Sequence, residues 1–361
     1  MRYLIHALTL GKYIKGTPQM LNAINALQEA SLSYYDNFKL NDTTLRLNKM
    51  VDYHAVTTKA RNRIFIQSPL NYTGSKFRLL PQILPLFPKD ISVMVDLFCG
   101  GASVGVNVMA KEIILNDKQK ELVRILELFK SLSFDTLFTQ ILGLIDEFSL
   151  SNSAQFGYGF YKCDSAKGLS SYNKAGFLRL KNAYNADKDA LKLFVLIIYA
   201  FNNQIRFNAK GEFNLPCGKR DFNAKMQDKL KGFTNTLQSK HISLTSLDFR
   251  AFDTGILDKQ SFVYIDPPYL LGGATYNENG AWGKNDEKDL FEFMQILDAK
   301  NVKFALSNVL FHKQKEHKML KIWLDKNPKF HTHFLNFSYK NCNYQTKREP
   351  SSEVLITNYG V

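Results

Sequence analysis

Apolar residues change rhythm several times along the chain, and the changes mark its elements. Across residues 91–98 the run of Ile91, Val93, Met94, Val95, Leu97 and Phe98 is short, β-branched and nearly continuous. That pattern predicts a strand covered on both faces. It breaks at Gly100-Gly101, after which residues 103–109 read as a helix. Residues 112–117 then predict a second strand, closed by Asn116-Asp117. Strand, glycine turn, helix, strand and acid make a βαβ unit suited to an adenosine-containing cofactor. The rhythm returns at 241–244, 262–266 and 302–307, with helices predicted to begin near Asp286 and Lys313 and a closing strand at 353–359. Ahead of the first strand, Leu79, Leu80, Ile83 and Leu84 predict a short helix ending before Pro85 and Pro88.

The alternation fails over residues 151–235, which are rich in Tyr, Phe, Asn and Lys. The chain therefore divides into four stretches: an N-terminal extension of unassigned role (1–65), the first part of an α/β domain (66–150), an insert (151–235), and the second part of the same domain (236–361). In the extension, Thr17-Pro18 has the form of a helix start, followed by Met20, Leu21, Ile24 and Leu27 at helical spacing. A packing arm and a functional arm both suit it.

Charge narrows the partners. With 47 Lys and Arg against 33 Asp and Glu, the net charge is +14. Such an excess favours a polyanion, since each phosphate neutralised releases counterions. Basic proteins without a nucleic-acid partner are common, so charge alone leaves the matter open. The four cysteines, Cys99, Cys163, Cys217 and Cys342, form no CxxC pair and no spacing with histidine that suits zinc. No disulfide framework and no metal site is expected. No apolar run approaches the ~20 residues that cross a bilayer. The short apolar start leads into Gly11-Lys12-Tyr13 rather than a small-residue cleavage site, and a cytoplasmic location is expected.

The residues richest in chemistry are Asp266-Pro267-Pro268-Tyr269, directly after an apolar strand. An exocyclic amine of a nucleobase is a weak nucleophile, because its lone pair is delocalised into the ring. A carboxylate at Asp266 and the carbonyl of Pro267 can each accept one amine N–H, favouring a pyramidal nitrogen. Pro267 and Pro268 stiffen the turn, and Tyr269 offers a flat face to a base taken out of its stack. A plain strand-ending turn with an aspartate cap suits the same four residues. The turn around Asp96, Phe98, Gly100 and Gly101 lets backbone approach a ligand, with Asp96 placed for an ammonium group. Asp117 suits a pair of ribose hydroxyls. Tyr72, Gly74 and Lys76 offer an aromatic wall, a turn and a cation, while Asp248-Phe249 offers a hydrogen bond and a ring to an adenine. A surface role suits each of these segments taken singly.

Their order is more telling. Tyr72 to Lys76, Asp96 to Ser103, Asp117 and then Asp266 to Tyr269 resemble, in sequence, the Dam-type DNA adenine-N6 methyltransferase family of the α motif order. The block Arg206-Phe207-Asn208-Ala209-Lys210-Gly211-Glu212-Phe213-Asn214-Leu215-Pro216-Cys217-Gly218 is similar to that family's DNA-reading segment, and 353–359 to its last strand. The resemblance runs from about Ser68 to Tyr359. Leu97 stands in place of the family's usual proline, Ala102 in place of its second motif glycine, and Phe207 in place of a tyrosine.

The resemblance implies a Rossmann-like α/β methyltransferase domain with a smaller, helical and looped target-recognition insert. It implies S-adenosylmethionine as cofactor, bound by Tyr72, Gly74, Lys76, Asp96, Phe98, Gly100, Asp117, Asp248, Phe249 and Asp266. It also implies catalysis at Asp266 to Tyr269 without metal or covalent intermediate. Double-stranded DNA would meet Arg206, Phe207, Asn208, Asn214 and Pro216, with Arg206 suited to a bidentate guanine contact. A monomer is expected, with a restriction endonuclease as functional counterpart or with the chain acting alone. Basic residues at 340–348 and between Lys162 and Lys192 suit either phosphates or plain solvent.

Rival chemistries fit less well. Serine or asparagine in place of Asp266 would have suited cytosine-N4, ribosomal RNA or protein-glutamine substrates. Cytosine-C5 transfer needs a nucleophilic Cys after Pro, and Pro216-Cys217, the sole such pair, lies inside the DNA-reading block. A dinucleotide oxidoreductase would need a GxGxxG turn and leaves Asp266 to Tyr269 without a purpose. A non-catalytic nucleic-acid-binding protein leaves the intact catalytic turn unexplained.

Overall fold

The computed structural model describes residues 64–164, 166, 168–271, 282–312, 315–336 and 351–360. The helix start at Thr17-Pro18 and the basic stretch 340–348 lie outside them. Eight strands are formed by these residues: β1 (Val93–Asp96), β2 (Glu112–Asn116), β3 (Ile242–Thr245), β4 (Phe262–Ile265), β5 (Lys303–His312), β6 (Lys315–Glu316), β7 (His331–Leu335) and β8 (Ser351–Thr357). The sheet runs β3-β2-β1-β4-β5-β8-β7, with β6 paired to β5. Strands β1 to β5 are mutually parallel, while β8 is antiparallel to both β5 and β7.

Because side chains alternate along a strand, the continuous apolar runs feed two cores. Met94, Ile113, Leu115, Phe262, Tyr264, Ala305 and Leu355 enter one cluster. Their sequence neighbours Val95, Ile114, Val263, Ile265, Phe304, Leu306, Val354 and Ile356 enter the other. The helices among the described residues are α1 (Leu80–Ile83), α2 (Lys120–Ser131), α3 (Phe134–Glu147), α4 (Ser153–Phe160), α5 (Ser170–Asp187), α6 (Ala190–Tyr199), α7 (Ala224–Ser239), α8 (Lys284–Ala299) and α9 (Lys318–Lys326). Helices α2, α3, α5, α6 and α7 supply the first core, and α8 and α9 supply the second. None of the described helices is long and apolar enough to cross a membrane.

Two helix expectations change. Residues 103–109 form only a single 3₁₀ turn, Gly105–Asn107. Asn107 competes with helical hydrogen bonding, its amide donating to Ser103 O at 2.9 Å and to Ile66 O at 2.8 Å. Gly105 is wedged against β2, where a Cβ would come within 2.3 Å of Leu115 Cδ2. The turn is thus built for close approach to the sheet rather than for helical length. The helix expected near Lys313 begins at Lys318, after β6 has turned back on β5. Before β1, residues 76–86 alternate 3₁₀ and α turns, and Pro85 is accommodated inside a 3₁₀ turn.

Candidate active site

Strand order reverses between β1 and β4: β2 and β3 lie to one side, β5 and its neighbours to the other. Such a switch leaves a crevice at the carboxyl ends of the two strands. Asp96 ends β1 and Asp266 follows β4 directly, so two acids distant in sequence meet there. Asp96 is almost fully buried, and its Oδ2 accepts the Gly105 N–H at 3.0 Å. Burial raises its carboxyl to about 8, with further push from Asp266 and Asp117.

Around Asp266 the structure builds a buried ionic cluster. Lys76, 5% exposed, places its ammonium 2.9 Å from Asp266 Oδ1 and 3.6 Å from Glu353 Oε1. It also donates to the Gly74 carbonyl at 2.9 Å, where the Gly74 φ of 85° permits the turn. Tyr269 donates toward Asp266 Oδ1 at 3.2 Å and Glu353 Oε1 at 3.0 Å, with the Lys76 ammonium 4.9 Å from its ring centre. Burial alone would lower the ammonium, but Asp266 and Glu353 outweigh it and hold Lys76 above its ordinary value. Burial raises the Asp266 carboxyl, and Glu353 adds to that rise against the pull of Lys76. Two carboxylates thus share one cation.

Glu353 was read in sequence only as part of the last strand. A single acid among apolar residues 353–357, 2% exposed in the fold, was the available signal. It reaches the cluster from β8, two strands away from β4.

Beside this cluster, Tyr72 lies over Gly100, where a Cβ would stand 2.7 Å from the Tyr72 ring. Glycine is therefore required at 100 on two counts, since its φ is also +50°. Ala102 adopts φ 57° without being glycine. Asp117 accepts the Gly100 N–H and the Gln119 N–H, both at 2.9 Å. Burial raises its carboxyl above the usual range. Asn116, unremarked in the sequence, ties the turn after β1 to the one after β3. Its amide donates to Leu97 O and Leu247 O, both at 3.0 Å.

Phe98 and Phe249 face each other with ring centres 5.6 Å apart. Trp282 joins them at 5.8 and 5.7 Å, and sequence reasoning had not singled it out. Its indole N–H donates to Glu287 at 3.2 Å, and Glu287 in turn meets His317 in a fully buried pair. Asp248 caps the following turn and pairs with Lys118 and Arg250. These partners outweigh the effect of burial and hold its carboxyl below the ordinary value.

The block 206–218 lies in the chain between α6 and α7. Phe207 bridges to Phe213, and Asn214 N–H donates to Arg206 O at 3.2 Å, closing a hairpin-like tip. Asn208 serves the turn: its Oδ1 accepts Lys210 N–H and Glu212 N–H, while its amide donates to Glu212. Arg206 Nε donates to Asn214 Oδ1 at 2.8 Å. Pro216 is exposed, and its carbonyl accepts the Phe201 N–H.

A family model for the D12 class N6 adenine-specific DNA methyltransferases matches residues 72–347. The chain belongs to this family. The D12 match contains Tyr72, Lys76, Asp96, Asp117, Arg206 and Asp266, while Glu353 lies beyond its end. The type II methyltransferase M.FokI of Planomicrobium okeanokoites is 38% identical over 307 residues, covering 83% of this chain and 44% of that protein. The modification methylase StsI of Streptococcus sanguinis is 36% identical over 334 residues, covering 91% of this chain and 48% of that protein. A DNA adenine methylase of Haemophilus influenzae is 25% identical over 251 residues, or 66% of this chain and 78% of its own. The D12 chain described here thus spans about half the length of the first two relatives.

Proposed function

We propose that this chain transfers the methyl group of S-adenosylmethionine to the N6 amine of adenine at a specific site in duplex DNA. The carrying observation is the half-buried Asp266 turn, held against the buried Lys76 and Glu353 and beside Tyr269 at the carboxyl end of β4. In this reading residues 66–150 and 236–361 form a Rossmann-like methyltransferase domain, and 151–235 the target-recognition insert.

The chain's residues fit the cofactor. Asp96 Oδ1 accepts no hydrogen bond among the described residues, leaving a buried carboxylate oxygen for an ammonium group. Asp117 for the ribose, Phe98 with Phe249 and Asp248 for the adenine, and Tyr72, Gly74 and Gly100 for close backbone approach complete the binding set. Bound S-adenosylmethionine supplies an electrophilic methyl carbon on sulfur. Asp266 and the Pro267 carbonyl accept the two amine hydrogens of an extruded adenine, localising its lone pair, while Tyr269 supports the ring. Lys76 keeps Asp266 oriented and offsets the charge of Glu353. The resemblance implies a cofactor contact for Lys76; its buried pairing with Asp266 supports a positioning role instead.

Arg206, Phe207, Asn208, Asn214 and Pro216 present the DNA-reading surface, with Arg206 for guanine. The named modification methylases among the relatives support a counterpart restriction endonuclease in the cell. The direct test is transfer of labelled methyl from S-adenosylmethionine to duplex DNA, followed by nucleoside analysis. Label appearing in N6-methyladenine is expected, and its appearance in cytosine or its absence sinks the proposal.

A further inference from the structure

A second group of charged residues shares a cavity with Ser75 and Phe77, the residues that flank Lys76. A cavity of about 160 Å³ is lined on one side by Asn71, Ser75 and Ser103, and on the other by Arg220, Lys225 and Lys229. Lys225 and Lys229 stand one turn apart on α7, whose N-terminus opens beside the cavity at Asn223. None of the three cations has an acidic partner among the described residues. The one acid in the lining, Asp221, is nearly fully buried and committed elsewhere: it accepts Ser151 Oγ at 3.0 Å, Ser153 N–H at 2.6 Å and Ser153 Oγ at 2.7 Å.

Three cations against one occupied carboxylate leave an excess of positive charge around a polar cavity. Arg220 and Lys225 are exposed and Lys229 is half-buried, so the three set up a positive field around the cavity that attracts an anion. Burial and the neighbouring charges of Lys225 and Arg220 together lower the Lys229 ammonium, as expected for a cation lacking its counter-charge. The remaining donors are hydroxyls and amides, which suit tetrahedral oxygens.

We infer that this cavity is a phosphate site, and that it holds a single phosphodiester of the DNA strand whose base is extruded toward Asp266. This inference rests on the proposed DNA methyltransferase activity. Ser75 lines the cavity, and the next residue, Lys76, pairs with Asp266. Two consecutive residues, Ser75 and Lys76, therefore link the cavity wall to the acid that meets the base. Extruding a base costs unstacking energy, and a phosphate contact beside the base-accepting turn fixes the register of the strand that carries it.

The test uses the full chain with Lys225→Gln/Lys229→Gln, and Lys225→Arg/Lys229→Arg as charge-retaining control. Duplex binding is measured against salt, with S-adenosylmethionine binding and thermal melting followed alongside. The Gln variant is expected to bind duplex about tenfold more weakly, with a salt slope smaller by about one, the value for one lost phosphate contact. Cofactor affinity and melting stay unchanged, and the Arg variant restores the slope. In wild type, a neutral methylphosphonate at one position near the target adenine produces the same loss, and in the Gln variant that substitution costs nothing further.

An unchanged slope, or methylphosphonate losses equal in both proteins at every position, overturns the inference. So does a variant that loses affinity for inorganic phosphate while retaining its full duplex affinity, since the cavity would then serve a free anion. Wild-type chain that binds no duplex at all sinks the methyltransferase reading itself, a result distinct from these.

Discussion

The crevice at the ends of β1 and β4 and the tip at 206–214 satisfy their polar groups in opposite ways. In the crevice, Lys76, Asp266 and Glu353 come from three remote parts of the chain and are held in a buried ionic cluster. At the tip, Asn208 and Arg206 bond partners within eight residues, at an accessible turn. The first region is preorganised by the whole fold, so each member depends on the others. The second is preorganised locally and can vary without disturbing the sheet. The chemistry proposed for the first must not vary, and the DNA reading proposed for the second must adapt, so each suits its region.

Breaking the crevice should cost most. Lys76→Gln leaves two buried carboxylates facing each other and is expected to destabilise the chain by about 3–5 kcal/mol, measured by denaturant unfolding. Lys76→Gln/Glu353→Gln should recover a large part of that loss, and a double mutant no more stable than the single would refute the shared-cation account. Asp266→Ala is expected to lower methyl transfer by about 10²–10³-fold while duplex binding persists. Retained turnover in that variant would remove Asp266 from the chemistry.

At the tip, effects should be smaller and of a different kind. Arg206→Ala is expected to cost about 1–3 kcal/mol of discrimination at one base pair, read from relative methylation of substituted sites. If all sequences weaken equally, Arg206 contacts phosphate instead.

Asp96 sharpens the contrast through pH. Its carboxyl, raised to about 8 by burial, keeps a proton in the native state that the unfolded chain loses near 4. Stability without cofactor therefore falls as pH rises between those values, and Asp96→Asn removes the fall. The variant should gain stability over wild type, by roughly 2–3 kcal/mol more at pH 8.5 than at pH 6, yet bind S-adenosylmethionine more weakly. A constant difference across that range would contradict the buried-acid account. The smallest change is Asn208→Ala, about 1 kcal/mol of local loosening, visible as faster amide exchange at Lys210 and Glu212 with normal melting of the sheet.

Much of this was legible from residue order. The apolar runs located β1, β2, β4, β5 and β8 to within a few residues, because a strand buried on both faces leaves little freedom of composition; the half-exposed edge strand β3 was located as well. Asp96, Asp117 and Asp266 stood out because acids ending such runs are costly without a purpose. The 3₁₀ turn at 105–107 was not legible, since close approach to Leu115 and the side-chain bonds of Asn107 overrode helical spacing. Glu353, Trp282 and Asn116 were missed for a related reason: their partners lie far away in sequence.

The sequence by itself determined which segments form the parallel strands and the closing strand, because burial and strand periodicity act locally; the edge strand His331–Leu335 and the short β6, with little apolar patterning, were not expected. It also carried the motif order that marks the family. Only the tertiary structure decided that Lys76 faces Asp266, that Glu353 shares its charge, and that Arg220, Lys225 and Lys229 gather around one cavity. Those contacts depend on which strands become neighbours, and electrostatic pairing in a buried crevice is set by that adjacency rather than by any local preference of the chain.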